Sequence, residues 1–118
     1  LKKGFKENNV IYSGTHDNQT IMSFYKGLDE KTKKLVDTLC HITLTDRPNL
    51  KIIETCMQQA CKDCIIPLQD YLGLTDEEGR MNIPSVASRN WSYRALESDF
   101  SKELAAYLKQ ITTQYERI

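Results

Sequence analysis

The period of the hydrophobic positions changes several times along the chain. Val10-Ile11-Tyr12 is a short unbroken apolar run rich in β-formers, and Ser13-Gly14-Thr15 ends it. Such a run fits a strand of a parallel sheet, where both faces are covered. The period then lengthens. Ile21, Met22, Phe24 and Tyr25 fall on a helix for which Asn18 is a suitable N-cap. Leu35, Val36, Leu39 and Ile42 predict a second helix over Asp29 to His41. Asp46-Arg47-Pro48-Asn49 breaks the chain. Pro48 suits the first position of a third helix, running roughly to Lys62 with Leu50, Ile53, Met57, Ala60 and Cys61 on one face.

Cys64-Ile65-Ile66-Pro67-Leu68 predicts a second buried strand, with Pro67 confined to its end. Gln69 to Leu74 is a turn or single helical turn closed by Gly73. Thr75 to Asn90 is polar and irregular, and a loop of that length is usually functional. A last helix is predicted from about Ser98 to Tyr115, with Ser98 and Ser101 as caps and Leu104, Tyr107, Leu108 and Ile111 inward. The stretch before the first strand, Lys2 to Asn9, is polar and turn-like. The order strand, helices, strand, loop, helix is the βαβα grammar of a parallel α/β sheet or barrel. Two strands close no barrel and make a poor open sheet. The pattern therefore predicts one partial domain over residues 1–118, and the first residue, Leu1, is compatible with a piece of a longer chain.

Composition narrows the function classes. The chain of 118 residues is 40% hydrophobic and 27% charged, ordinary for a globular protein. Lys plus Arg equals Asp plus Glu at 16 each, so no basic surface calls for nucleic acid or an anionic membrane as partner. No apolar run approaches the roughly 20 residues that span a bilayer, and no charged-then-apolar leader opens the chain. Cys40, Cys56, Cys61 and Cys64 are accordingly expected as reduced thiols of a cytoplasmic protein.

The candidate chemistry lies just past the first strand. Ser13-Gly14-Thr15 lifts His16-Asp17-Asn18 beyond a buried strand, and in α/β barrels active sites sit at that end. A carboxylate there can stabilise developing positive charge or accept from ligand hydroxyls, and a neighbouring histidine can donate to a ligand oxygen. On spacing alone, Asp17 or Asn18 as a helix cap and His16 as a loop residue remain open. Asp70, after the second strand, is the only rival carboxylate, with a turn-capping role fitting it well. Cys61-Lys62-Asp63-Cys64 is a lone CxxC that closes a helix instead of opening one, which argues for packing over metal or redox work. His41 is expected at a solvated helix end, and Lys31-Thr32-Lys33-Lys34 as a solvated helix face.

Three blocks in order resemble the amylomaltases, the 4-α-glucanotransferases that are called disproportionating enzymes in plants. Tyr12-Ser13-Gly14-Thr15-His16-Asp17-Asn18-Gln19-Thr20 is similar to the family's Tyr-Thr-Gly-Thr-His-Asp-Asn-Asp-Thr. Pro67-Leu68-Gln69-Asp70-Tyr71-Leu72-Gly73-Leu74 resembles its Pro-x-Gln-Asp-x-Leu-x-Leu strand end. Arg80-Met81-Asn82-Ile83-Pro84 and Asn90-Trp91-Ser92-Tyr93-Arg94 resemble its Arg-Met-Asn-x-Pro-Gly and Ser-Gly-Asn-Trp-x-Trp-Arg.

The resemblance implies the C-terminal part of an elaborated (β/α)8 TIM barrel, its last two strands with helices, helix-rich when isolated. It implies a retaining enzyme that holds the glycosyl part of an α-1,4-glucan on an Asp nucleophile, with a Glu acid/base, and passes it to glucose or another glucan. It assigns Asp17 as the third carboxylate, which stabilises the transition state. His16, Asn18 and Asn82 would bind substrate, and Trp91 would be either a stacking platform or a core residue beneath its loop.

The nucleophile and acid/base of the family lie on upstream strands, so this chain alone would be inactive, and its open sheet edges invite self-association. No metal and no organic cofactor is implied. The chain also departs from the pattern: Gln19 stands at a commonly acidic position, and Ser85 and Arg89 stand where the family has glycine, which can serve a positive φ. The reading from another class is a stand-alone, non-catalytic glucan-binding or interaction module.

Overall fold

A computed structural model describes residues 8–117. The turn-like reading of Lys2 to Glu7 lies outside the described residues. The elements run β1 (Val10–Tyr12), α1 (Ile21–Lys26), α2 (Glu30–Leu39), α3 (Pro48–Met57), β2 (Asp63–Ile65), α4 (Leu68–Leu72), α5 (Asp76–Gly79), a single 3-10 turn (Glu97–Asp99) and α6 (Lys102–Gln114). This is the expected α/β, helix-rich arrangement around a small parallel sheet. β1 and β2 pair in parallel, with Val10 opposite Asp63, Ile11 opposite Cys64 and Tyr12 opposite Ile65. None of the described helices is long and apolar enough to cross a membrane.

The period of two along a strand sends alternate residues to opposite faces. Ile11 and Cys64 are half-buried, and Cys64 packs against the core. Val10, Tyr12 and Ile65 on the other face are exposed. The core is Ile21 from α1, Ile53 and Met57 from α3, and Ile111 from α6, with Leu50, Ile66, Tyr71 and Tyr107 packed around it. A polar seam joins α3 to α6: the Tyr107 and Tyr115 hydroxyls donate to the two oxygens of Glu54 at 3.0 and 3.1 Å. The Glu54 charge and burial push the Tyr107 phenol well above its ordinary value, with burial the larger cause.

Several boundaries differ from the periodicity, each for a local reason. α1 is capped by Thr20, whose hydroxyl accepts from the Ser23 amide, and not by Asn18, whose side chain turns back on Thr15. α2 stops at Leu39, and His41 follows with φ +57°, outside the helix. α3 ends at Met57 instead of Lys62. There the Arg117 guanidinium donates to the carbonyls of Met57, Gln59 and Cys61 at 3.0, 2.9 and 3.1 Å, taking acceptors that a continuing helix would use.

β2 ends before Ile66 because Pro67, with φ −61°, is the N-cap of α4. The supposedly irregular stretch after Gly73 holds α5, nucleated by a Thr75–Glu78 capping box. α6 starts at Lys102 under Ser101, because Ser98 belongs to the 3-10 turn. Gly73 closes α4 as expected, at φ +72°.

The joint between these elements is Asp70, 3% exposed. Its carboxylate accepts from the Ser13 hydroxyl at 2.8 Å and from the Ile21 amide at 2.9 Å. Its carbonyl accepts from Nδ2 of the buried Asn49 at 2.8 Å. The end of β1, the start of α1, α3 and α4 thus meet at one residue. Asp70→Ala would leave one buried and one part-buried donor without acceptors and should destabilise by about 1–3 kcal/mol in urea unfolding; a loss under about 0.5 kcal/mol would remove Asp70 from this role.

Burial raises the Asp70 carboxyl above its ordinary value, and the Ile21 amide and Ser13 hydroxyl oppose this only in part. A raised folded-state value means the folded chain binds the proton more tightly. This contribution to stability is therefore present below the ordinary carboxylate value and is lost as pH rises through the raised one. Asp70→Asn should flatten that part of the stability–pH profile.

Candidate functional site

The loop between β1 and α1 is short and internally bonded. The Asn18 side-chain oxygen accepts from the Thr15 amide and hydroxyl at 2.8 and 3.0 Å, closing a tight turn. That turn presents His16 and Asp17 at the C-terminal end of β1. From below it is fixed by Ser13 on Asp70, and at its far end by the Thr20 amide, which donates to Asp76 at 2.8 Å. Beside it opens a cleft of about 550 Å³, lined among others by Tyr12, Thr15, His16, Asn18, Gln69 and Met81.

The loop that follows α5 closes over the turn. The Asn82 amide N–H donates to the His16 carbonyl at 3.0 Å, and Asn82 Nδ2 donates to Asp17 Oδ1 at 2.6 Å. Asp17 Oδ2 lies 3.4 Å from His16 Nε2. Arg80 donates to the Asp17 carbonyl at 2.8 Å and to the Asn82 carbonyl at 3.1 Å. Asp17 and His16 side chains remain about half exposed, at 46% and 54%. The result is a carboxylate with one oxygen fixed by an amide and solvent-facing surface left over. It can accept hydrogen bonds from a polyhydroxyl ligand and can face positive charge.

The structure therefore brings His16, Asp17 and Asn82 together. Asn18 is next to them and lines the cleft, but its side-chain oxygen is spent on Thr15. Trp91 is not a core residue: it is 52% exposed, and its ring lies 5.1 Å from that of His16 at 34°. Asp70 lines the same cleft, yet its oxygens are turned to Ser13 and Ile21, the capping role. Arg80 stood in a quoted motif but was assigned no role from the sequence. Its signal was its place at the head of the Arg80-Met81-Asn82 block, but only the fold shows its three acceptors.

The thiols lie away from this cluster. Cys61 is buried at the end of the α3 segment, and burial pushes the Cys64 thiol up, the opposite of an activated thiolate. Among the described residues no group of three His, Cys, Asp or Glu side chains could hold a metal ion.

Comparison with known proteins agrees with the motifs. The family model described as 4-alpha-glucanotransferase matches residues 1–98. The 4-alpha-glucanotransferase of Clostridium butyricum is 33% identical over 119 residues, covering 99% of this chain and 24% of the relative. The chloroplastic/amyloplastic 4-alpha-glucanotransferase of Solanum tuberosum is 33% identical over 111 residues, covering 94% of this chain and 19% of the relative. Amylomaltase from Streptococcus agalactiae, solved in complex with acarbose, superposes with a TM-score of 0.90 at 28% identity, covering 95% of this chain and 22% of that one. The chain spans about a quarter or less of the length of these proteins.

The two glycine departures have a conformational consequence. Ser85 sits at φ +70° and Arg89 at φ +63°, the left-handed region that glycine enters without penalty. The loop keeps the shape that glycines would favour and is held by Asn90, which accepts from the Ile83 amide at 3.0 Å and donates to the Val86 carbonyl at 2.6 Å. Ser85→Gly and Arg89→Gly should each raise stability by about 0.5–1 kcal/mol and slow proteolysis within residues 80–94. A destabilisation by either would show that the left-handed backbone carries no strain.

Proposed function

The chain belongs to the 4-alpha-glucanotransferase family, and on that premise we propose that it is the C-terminal part of a glucanotransferase barrel that supplies the sugar-steadying third of the catalytic apparatus. The reaction would be retaining transfer of α-1,4-glucan segments to glucose or another glucan, through an Asp nucleophile and a Glu acid/base on strands outside this chain. The observation that carries the proposal is the Asp17 carboxylate at the end of β1, held by Asn82 and flanked by His16.

Each residue then has a physical task. Asp17 accepts hydroxyls of the sugar being transferred and faces the positive charge that develops on it. His16 donates to the same sugar. Asn82 holds Asp17 and borders the groove. Asn18 shapes the turn and meets substrate from the cleft wall. The exposed Val10, Tyr12 and Ile65 face, part of which lines the cleft, is where the rest of the barrel would close.

One unit charge about 4 Å from another is worth about 4 kcal/mol at an effective dielectric near 20, roughly a thousandfold in rate. Asp17→Asn in the full-length protein should therefore lower kcat by about a hundredfold to a thousandfold, with KM within a few-fold, since the lost interaction is made mainly in the transition state. Unchanged turnover would end the assignment.

The isolated 118-residue chain should not disproportionate maltotriose, because it supplies only one of three carboxylates, and it should self-associate through its open sheet in sedimentation experiments. Turnover by the purified chain alone would contradict the division of labour.

A further inference from the structure

We propose that Arg80 is a positioning residue that sets the direction of the Asp17 carboxylate, an inference that rests on the site assignment above. Its side chain is only 16% exposed, and its three nitrogens reach three different segments. Nη2 donates to the Asp17 carbonyl at 2.8 Å, Nε donates to the Asn82 carbonyl at 3.1 Å, and Nη1 lies 3.4 Å from Asp76 Oδ2. The other oxygen of Asp76 accepts from the amide of Thr20, the cap of α1, and the Asp76 amide donates to the Ser23 hydroxyl at 2.7 Å. The guanidinium is thus anchored through Asp76 to a helix that packs in the core.

The geometry is selective. Asp17 and Asn82 are bonded to each other through their side chains, and Arg80 fixes the main chain of both. Rotation of either peptide would redirect the carboxylate or withdraw the amide that holds it. A planar fork serves three acceptors in fixed directions, whereas an ammonium offers a point charge on a flexible stem. Were Arg80 needed only to pair with Asp76, lysine would serve. A misplacement of about 1 Å at a reacting centre can cost about a hundredfold in rate.

The test is a double-mutant cycle in the full-length protein, with kcat and KM measured on maltotriose for Arg80→Lys, Asp17→Asn and the pair. Arg80→Lys should lower kcat by about tenfold to a hundredfold with KM within about threefold. In the Asp17→Asn background the same substitution should change kcat by less than about twofold, because Arg80 acts through Asp17. Wild-type kcat in Arg80→Lys, or an equal factor in both backgrounds, would overturn the proposal. Arg80→Gln gives the same comparison if the lysine form does not fold. The two levels separate cleanly: an Asp17→Asn form with wild-type kcat defeats the site assignment, whereas a slowed Asp17→Asn form in which Arg80→Lys still costs its full factor defeats only this inference.

Discussion

Asp70 accepts the Ser13 hydroxyl and the Ile21 amide on one buried carboxylate, and Asn49 binds its carbonyl. A buried carboxylate is costly unless its oxygens are bonded, so the segments that supply the donors are committed to their places. Those segments are the end of β1 and the start of α1. The turn from Ser13 to Thr20 hangs between them, and the proposed sugar site is on that turn. Asp70 thereby fixes both ends of the turn that carries Asp17. The apolar contacts of Ile21, Ile53, Met57 and Ile111 give the segment its bulk, but they are not directional.

A second constraint comes from above. The chain after α5 crosses back over the turn and bonds it through Asn82 and Arg80. His16 and Asp17 therefore lie between two layers, Asp70 beneath and the Arg80-Asn82 segment on top, with about half their side-chain surface exposed. Preorganisation of this kind is what a charge used in a transition state needs, since no reorganisation is then required when the charge develops. The open face of Val10, Tyr12 and Ile65 is the complement of this order.

Much of this was legible in the residues. The run Val10 to Tyr12 and the stop at Ser13-Gly14 located β1, and the His16-Asp17-Asn18 block located the turn. Gly73 marked the end of α4, and Ile111 marked the buried face of α6. What periodicity missed was decided by bonds between residues far apart in sequence. Arg117 ends α3 from the other end of the chain, Asp70 supports α1 across 49 positions, and Asp17 meets Asn82 across 65. No local pattern encodes such pairs. α5 was a different miss, since its Thr75–Glu78 capping box was present in the local sequence. The roles of Ser85 and Arg89 lie between these cases: the absent glycines were visible, and the backbone angles at those positions show what the glycines would have eased.

The central claim is that Asp17 meets the sugar on which positive charge develops. The most direct measurement is a crystal structure of the full-length protein carrying this segment, with an acarbose-type inhibitor bound. The account predicts Asp17 carboxylate oxygens within about 3 Å of ring hydroxyls of the sugar at the cleavage point, with the Asn82 amide still on Asp17. A bound inhibitor whose reacting ring lies away from Asp17 and His16 would contradict it.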